Sequence, residues 1–375
     1  MPKLRMTAGV LALAVALPLV SAPGARAAAF ITELPGLPGH PSHRAVAVND
    51  LGHVVGTASG NGPSRAVRWA PGLPAEDLGG GTPRSLNQAG RVLIQEYLGG
   101  SGTYVQRPRI WDQGKVTDLT PSGSGYVVAN GINRDGVVPM TYSTSPSGYH
   151  QERAAVWRDG RHTSLPVSGA HLSLSAINDA GVIVGSKAPM FGTDAHAFRC
   201  AGTTCSRLAD APGTGPYSVT AVNEAGVVVG NRQGQALMWA DGQVVVLAPA
   251  GGVANSPQAL NERGDVVGWT TDANGVRRAT LWPLGGKPVD LGVPGPSEAV
   301  AVNDRGDVIG WTSSAGSPRA FLWRAGVVEY LSSLGGTHTR PVALNERGTI
   351  VGESTTADGT VKAVKWTLLG PHQVG

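Results

Sequence analysis

The motif Asn-x-x-Gly, followed each time by a β-branched run, occurs eight times along the 375-residue chain: Asn49/Gly52, Asn87/Gly90, Asn133/Gly136, Asn178/Gly181, Asn223/Gly226, Asn261/Gly264, Asn303/Gly306 and Asn345/Gly348. Successive asparagines lie 38, 46, 45, 45, 38, 42 and 42 residues apart. Such a period requires one supersecondary unit stacked on copies of itself, since a single unit cannot bury its own apolar face. Each residue type has a backbone reason. Asn can accept a following main-chain N–H through its side-chain oxygen, and Gly supplies positive φ where the chain re-enters a strand. The Val, Ile and Ala residues on either side then read as two antiparallel strands. A calcium loop would also use Asn and Asp oxygens. Gln88 and Arg134 stand where other copies carry an acid, however, and no D-x-D-x-D-G run is present, so a structural turn is expected and no metal ligand set is assigned.

A second mark falls later in each unit: Trp69, Trp111, Trp157, Trp239, Trp282, Trp323 and Trp366, with Cys200 at this place in copy four. A tight-turn sequence follows most of them, as in Trp157-Arg158-Asp159-Gly160. A short strand ending in Leu comes next, as at Leu78, Leu119, Leu165, Leu291 and Leu331. All seven tryptophans are expected as packing anchors between sheets. Four short strands per unit, with a variable loop between the second and third and a Gly/Pro-rich link to the next unit, predict an all-β, eight-bladed β-propeller of four-stranded antiparallel blades. Composition agrees: 54 Gly and 27 Pro with only 15% charged residues exclude a coiled coil, a helical bundle and a charged disordered chain. Phe30-Ile31-Thr32-Glu33-Leu34 reads as a lone fourth strand and Ala363-Val364-Lys365-Trp366 as a third strand. The N-terminal strand is therefore expected to close the last blade, giving one domain over residues 28–375.

Residues 1–27 read as a signal peptide: Lys3 and Arg5, an apolar run from Ala8 to Val20, then Ala25-Arg26-Ala27. The apolar run is shorter than the ~20 residues of a membrane span, so a secreted, extracellular protein without a membrane span is expected. Removing Lys3, Arg5 and Arg26 leaves 27 basic against 26 acidic residues, and no Lys/Arg block stands out, so no nucleic-acid partner is expected. Cys200 and Cys205 are the only cysteines, and in an exported chain they are expected to form a disulfide across a hairpin.

The literal His196-Ala197-Phe198, its relative Arg319-Ala320-Phe321-Leu322-Trp323, the Ala-Val/Leu/Ile-Asn-x-x-Gly-x-Val-Val-Gly core and the Leu-Gly-Gly links resemble the HAF family of probable extracellular repeats. The resemblance spans nearly all of residues 28–375. It implies an exported bacterial repeat protein and transfers no reaction, cofactor or ligand. Copies two and three depart from it, with Ile94 and Met140 in place of the second motif glycine.

Catalytic signatures such as G-x-S-x-G, H-E-x-x-H, a P-loop and G-x-G-x-x-G are missing from the sequence. No catalytic residue, cofactor or metal site is assigned, and a monomer is expected. Five of the seven tyrosines fall in copies two and three: Tyr97, Tyr104, Tyr126, Tyr142 and Tyr149. Tyr97, Tyr104, Tyr142 and Tyr149 are expected on the second-to-third loops, with His150 beside them. Variable loops over a rigid scaffold suit binding of an extracellular glycan or a protein. The openings of the first strands add His43, Arg44, His171, Tyr217, Glu298 and Arg340 as residues expected near the central channel. The leading expectation is a non-catalytic binding or interaction scaffold at or outside the cell envelope. The alternative is a secreted carbohydrate-active hydrolase or lyase with its site over the channel, which needs a carboxylate pair lining it.

Overall fold

A computed structural model describes residues 29–98, 105–144, 152–190, 194–313 and 316–368. The first blade runs outward in chain order through Ser42–Val48, Val54–Gly60, Gly62–Trp69 and Glu76–Gly80, each strand antiparallel to the one before. The same order recurs around the ring, which is an eight-bladed β-propeller. Blades two and three are joined by one parallel pair, Tyr126 with Gln106.

The last blade consists of Gly335–Leu344, Thr349–Thr356 and Val361–Leu368, with Ala29–Glu33 as its outer strand. Pairing runs from Ala29 opposite Leu368 to Glu33 opposite Val364, so the N-terminal strand closes the ring. Leu34 then donates its N–H to the Ala363 oxygen and buries its side chain. Leu208, Leu247, Leu291 and Leu331 make the same bond to Ala197, Ala236, Ala279 and Ala320 in their own blades. The strand from the far end of the chain reproduces the local pattern.

Each Asn-x-x-Gly segment is a turn closed by a bond from the Gly N–H to the Asn oxygen, with the Gly at φ between 78° and 87°. Each Asn Oδ1 accepts the N–H of the residue four positions on, at 2.7–3.0 Å. That is the expected local role. A second role was not expected: each Asn Nδ2 donates to the main-chain oxygen of the Asn in the following blade, at 2.8–3.4 Å. The eight asparagines are buried and their bonds form a closed ring. A parallel ring is made by the next residue. The side chains of Gln88, Asp179, Glu224, Glu262, Asp304, Glu346 and Asp50 each accept the N–H of the equivalent residue one blade earlier. It is broken only after Gln88, where Arg134 carries no acceptor.

The core lies between blades. In one cluster Val229, Ala236 and Leu247 of blade five pack on Val266 and Trp282 of blade six. Trp69, Trp239, Trp282 and Trp366 add a hydrogen bond from the indole N–H to Pro35, Ala209, Ala248 and Ser332, each the residue after a blade-ending Leu. Six of the motif tryptophans are buried as expected. Trp323 is the exception, only partly buried, because Phe321 on the same strand fills the core there. The second motif glycine is required by close approach: a Cβ on Gly56 would sit 1.9 Å from the Arg44 oxygen, and one on Gly310 2.2 Å from that of Glu298. In blade two the departure Ile94 is accommodated over Gly81, where a Cβ would come within 2.9 Å of Ile94 Cγ2.

The Cys200–Cys205 disulfide is present, its residues facing each other across the hairpin of His196–Ala201 and Thr204–Arg207. In blades two, three, five and seven the turn between third and fourth strands has both central residues at positive φ, at Gln113 and Gly114, Asp159 and Gly160, Asp241 and Gly242, and Ala325 and Gly326.

Candidate binding rim

Five residues before each motif Asn the first strand is near its start, far from the Asn turn and close to the inter-blade links. Arg44, Glu298 and Arg340 occupy this place in blades one, seven and eight. In the second strand their pairing partners include Trp311, opposite Glu298, and Glu353, opposite Arg340. Trp269 is the equivalent residue of blade six, opposite Ser256.

These residues meet across blade boundaries. The Arg277 guanidinium lies 4.3 Å from the centre of the Trp269 ring, and its Nη1 is 3.6 Å from Glu298 of the next blade. Arg340 reaches back from blade eight to lie 5.0 Å from the centre of the Trp311 ring. Arg44 of blade one pairs with one oxygen of Glu353 in blade eight, whose other oxygen accepts His338 Nε2 at 2.9 Å. Arg44, Arg277 and Arg340 are exposed, the two indoles and His338 partly buried, and Glu353 buried. Trp311 Nε1–H is buried with no acceptor among the described residues. Burial raises the Glu298 pKa above the ordinary carboxyl range, against the opposing pull of Arg277 and Arg340. The result is a continuous band of two indoles, three guanidiniums and two carboxyls on blades six to eight and one.

Of the sequence-predicted residues, Arg340 belongs to this band, as do Arg44 and Glu298. His43 and Tyr217 do not line the channel. They are buried one position along from the rim residues, and alternation along a strand turns them into the inter-blade packing. His43 Nδ1 there accepts the N–H of Ala363 in the neighbouring blade. Asn255, Ser297 and Thr339 do the same for Ala236, Ala279 and Ala320. Tyr97 and Tyr142 lie within second strands, Val92–Leu98 and Val138–Ser143, rather than on loops, because pairing with the third strand extends through them. Tyr97 is 52% exposed and bonded by Arg84, and Tyr142 packs against the core of blades two and three. His171 is exposed at a bend with φ 48°. Tyr104, Tyr149 and His150 lie outside the described residues. Sequence reasoning missed Trp269 and Trp311, although the doubled Gly-Trp-Thr after the β-branched run of copies six and seven was a usable signal.

No family model matches the chain, and no curated protein matches it. Among solved structures the chain is similar to the acylaminoacyl peptidase of Pyrococcus horikoshii, with a TM-score of 0.51 and 10% identity over 82% of this chain and 56% of the peptidase. It is also similar to the β-propeller domain of the trilobed protease of Pyrococcus furiosus, described as having an open velcro topology, with a TM-score of 0.50 and 10% identity over 87% of this chain and 95% of that domain. The chain spans just over half the length of the peptidase. At this identity the likeness is one of fold. Among the described residues no helix is long and apolar enough to cross a membrane.

Proposed function

We propose that the protein is an exported propeller of the HAF repeat type that acts as a binding scaffold, holding its ligand at the rim formed by blades six to eight and one. The observation carrying the binding reading is the juxtaposition of Trp269 with Arg277 and of Trp311 with Arg340 at the openings of neighbouring blades. Indoles with adjacent fixed polar groups are characteristic of recognition surfaces. Export is supported by the charged, apolar and small-residue order of residues 1–27 and by the disulfide. Two-carboxylate hydrolysis is less well supported, because both Glu353 oxygens are engaged by Arg44 and His338.

Binding is tested by thermal unfolding of the mature chain against soluble polysaccharides, cell-wall fragments and peptides. A ligand at 100 times its dissociation constant stabilises the folded state by about 2.7 kcal/mol. A shift that Trp269→Ala abolishes supports the reading, and a panel without any shift overturns it. Export is tested by expressing the full chain with a C-terminal tag: recovery from the medium with Ala28 as first residue is expected, and retention in the cytoplasm overturns it.

A further inference from the structure

We propose that the rim ligand is an acidic glycan, a polymer of uronate-type sugars, an inference that rests on the binding reading above. Charge is the first argument. Three guanidiniums stand on the rim against two carboxyls. Glu353 pairs with Arg44 and Glu298 with Arg277. That leaves Arg340, exposed over the Trp311 ring, without a carboxylate at ion-pair distance among the described residues. At the opposite end Asp50, Asp179, Glu224, Glu262, Asp304 and Glu346 lie at the Asn turns, interspersed with Arg134, Arg263, Arg305 and Arg347, so acids outnumber bases there. An anionic polymer is therefore better matched to the rim than to that end.

Repetition is the second argument. Trp269 and Trp311 hold equivalent places in adjacent blades, each with a guanidinium over its ring, supplied by the third strand of the same blade in one case and by the first strand of the next in the other. A guanidinium placed over an indole at these distances can still pair bidentately with a carboxylate. The part of each indole that stays exposed suits the C–H face of a sugar ring. Two such subsites one blade apart match a ligand that repeats its own carboxylate and ring. In the next blade the indole position holds Glu353, paired with Arg44, and the run of subsites stops there.

The test uses sodium polygalacturonate, its methyl ester, dextran and poly-glutamate as probes, with binding read by thermal shift and by tryptophan fluorescence. Polygalacturonate is expected to bind, more weakly as salt rises, and Arg277→Gln or Arg340→Gln each to weaken it about tenfold at an unchanged melting temperature. Should Trp269→Ala fail to fold, Trp269→Phe takes its place and is expected to weaken polygalacturonate binding at an unchanged melting temperature. Equal binding of the methyl ester or dextran leaves the scaffold reading intact and overturns the acidic ligand. Equal binding of poly-glutamate overturns the glycan. Failure of all four probes while another panel ligand binds overturns this inference alone, and failure of the whole panel overturns both.

Discussion

The Asn345 side-chain amide donates to the Asn49 main-chain oxygen at 2.9 Å, joining the eighth repeat to the first across 296 residues of chain. The same bond links every other pair of neighbouring blades, so the turn motif also defines the ring. Asn345→Ala leaves buried donors and acceptors unpaired on both blades and is expected to cost about 1–3 kcal/mol. Asn345→Asp keeps the acceptor for Thr349 N–H but sets a carboxylate oxygen against the Asn49 carbonyl, and is expected to be destabilising too. Urea unfolding of both variants checks this, and an unchanged midpoint for Asn345→Ala would remove the ring from the account of stability.

Closure by the N-terminal strand gives a second expectation. Ala29–Glu33 is the outer strand of the last blade and covers the edge of Val361–Leu368, while Leu34 and Pro35 extend the contact through bonds to Ala363 and Trp69. Deleting residues 29–34 uncovers that sheet edge and should lower the melting temperature by more than about 5 °C, as several kcal/mol would for a domain of this size. Equal melting of the truncated and full-length proteins would show that the seam contributes little.

His43 makes stability depend on pH. Burial, with a smaller contribution from Lys362, holds its pKa down to about 4 against the ordinary histidine value of 6.5, although Glu33 opposes the shift. The neutral ring is the form that accepts the Ala363 N–H. A depressed histidine pKa means that the folded state binds this proton less readily than the unfolded chain. Its contribution is therefore complete above about 6.5 and declines as pH falls toward 4, by roughly 3 kcal/mol in all. Asn255 fills the equivalent place in blade six without titrating. His43→Asn should flatten this part of the stability profile, and a parallel decline in the variant would assign the acid sensitivity to other groups.

The acidic ring at the Asn turns carries the opposite sign. Burial, followed by repulsion from Glu224, Asp304 and Asp179, raises the Glu262 pKa, and burial with Asp304 and Asp50 does the same for Glu346. Stability is therefore lost as pH rises from the unfolded carboxyl pKa through the folded one. Gln88 already performs the acceptor role without charge. Glu262→Gln is expected to be neutral or stabilising by a few tenths of a kcal/mol near pH 7, with the gain fading in acid. A marked loss would mean that the ionised form is needed.

The repeat phase, blade count, closing strand and disulfide were legible in the sequence because each rests on short-range chemistry or on counting. The inter-blade role of the asparagines was not, since each donor finds its acceptor 38–46 residues away in the chain, or across the seam. His43 and Arg44 show a different limit. Alternation establishes that they point to opposite sides, but which side enters the inter-blade packing depends on the neighbouring sheet. The rest of the rim was missed for a related reason: Trp269 and Arg277 meet Glu298 of the next blade only once the two blades are packed.

Ala29 pairs with Leu368 and Glu33 with Val364, so the first strand described is held by one of the last. On a chain synthesised from its N-terminus, this early strand must wait for its partner until more than 300 residues have followed it. Seven blades can assemble on their neighbours in the meantime, but the circle stays open. Any partner that holds residues 29–34 during synthesis would thereby set the moment at which the finished molecule locks.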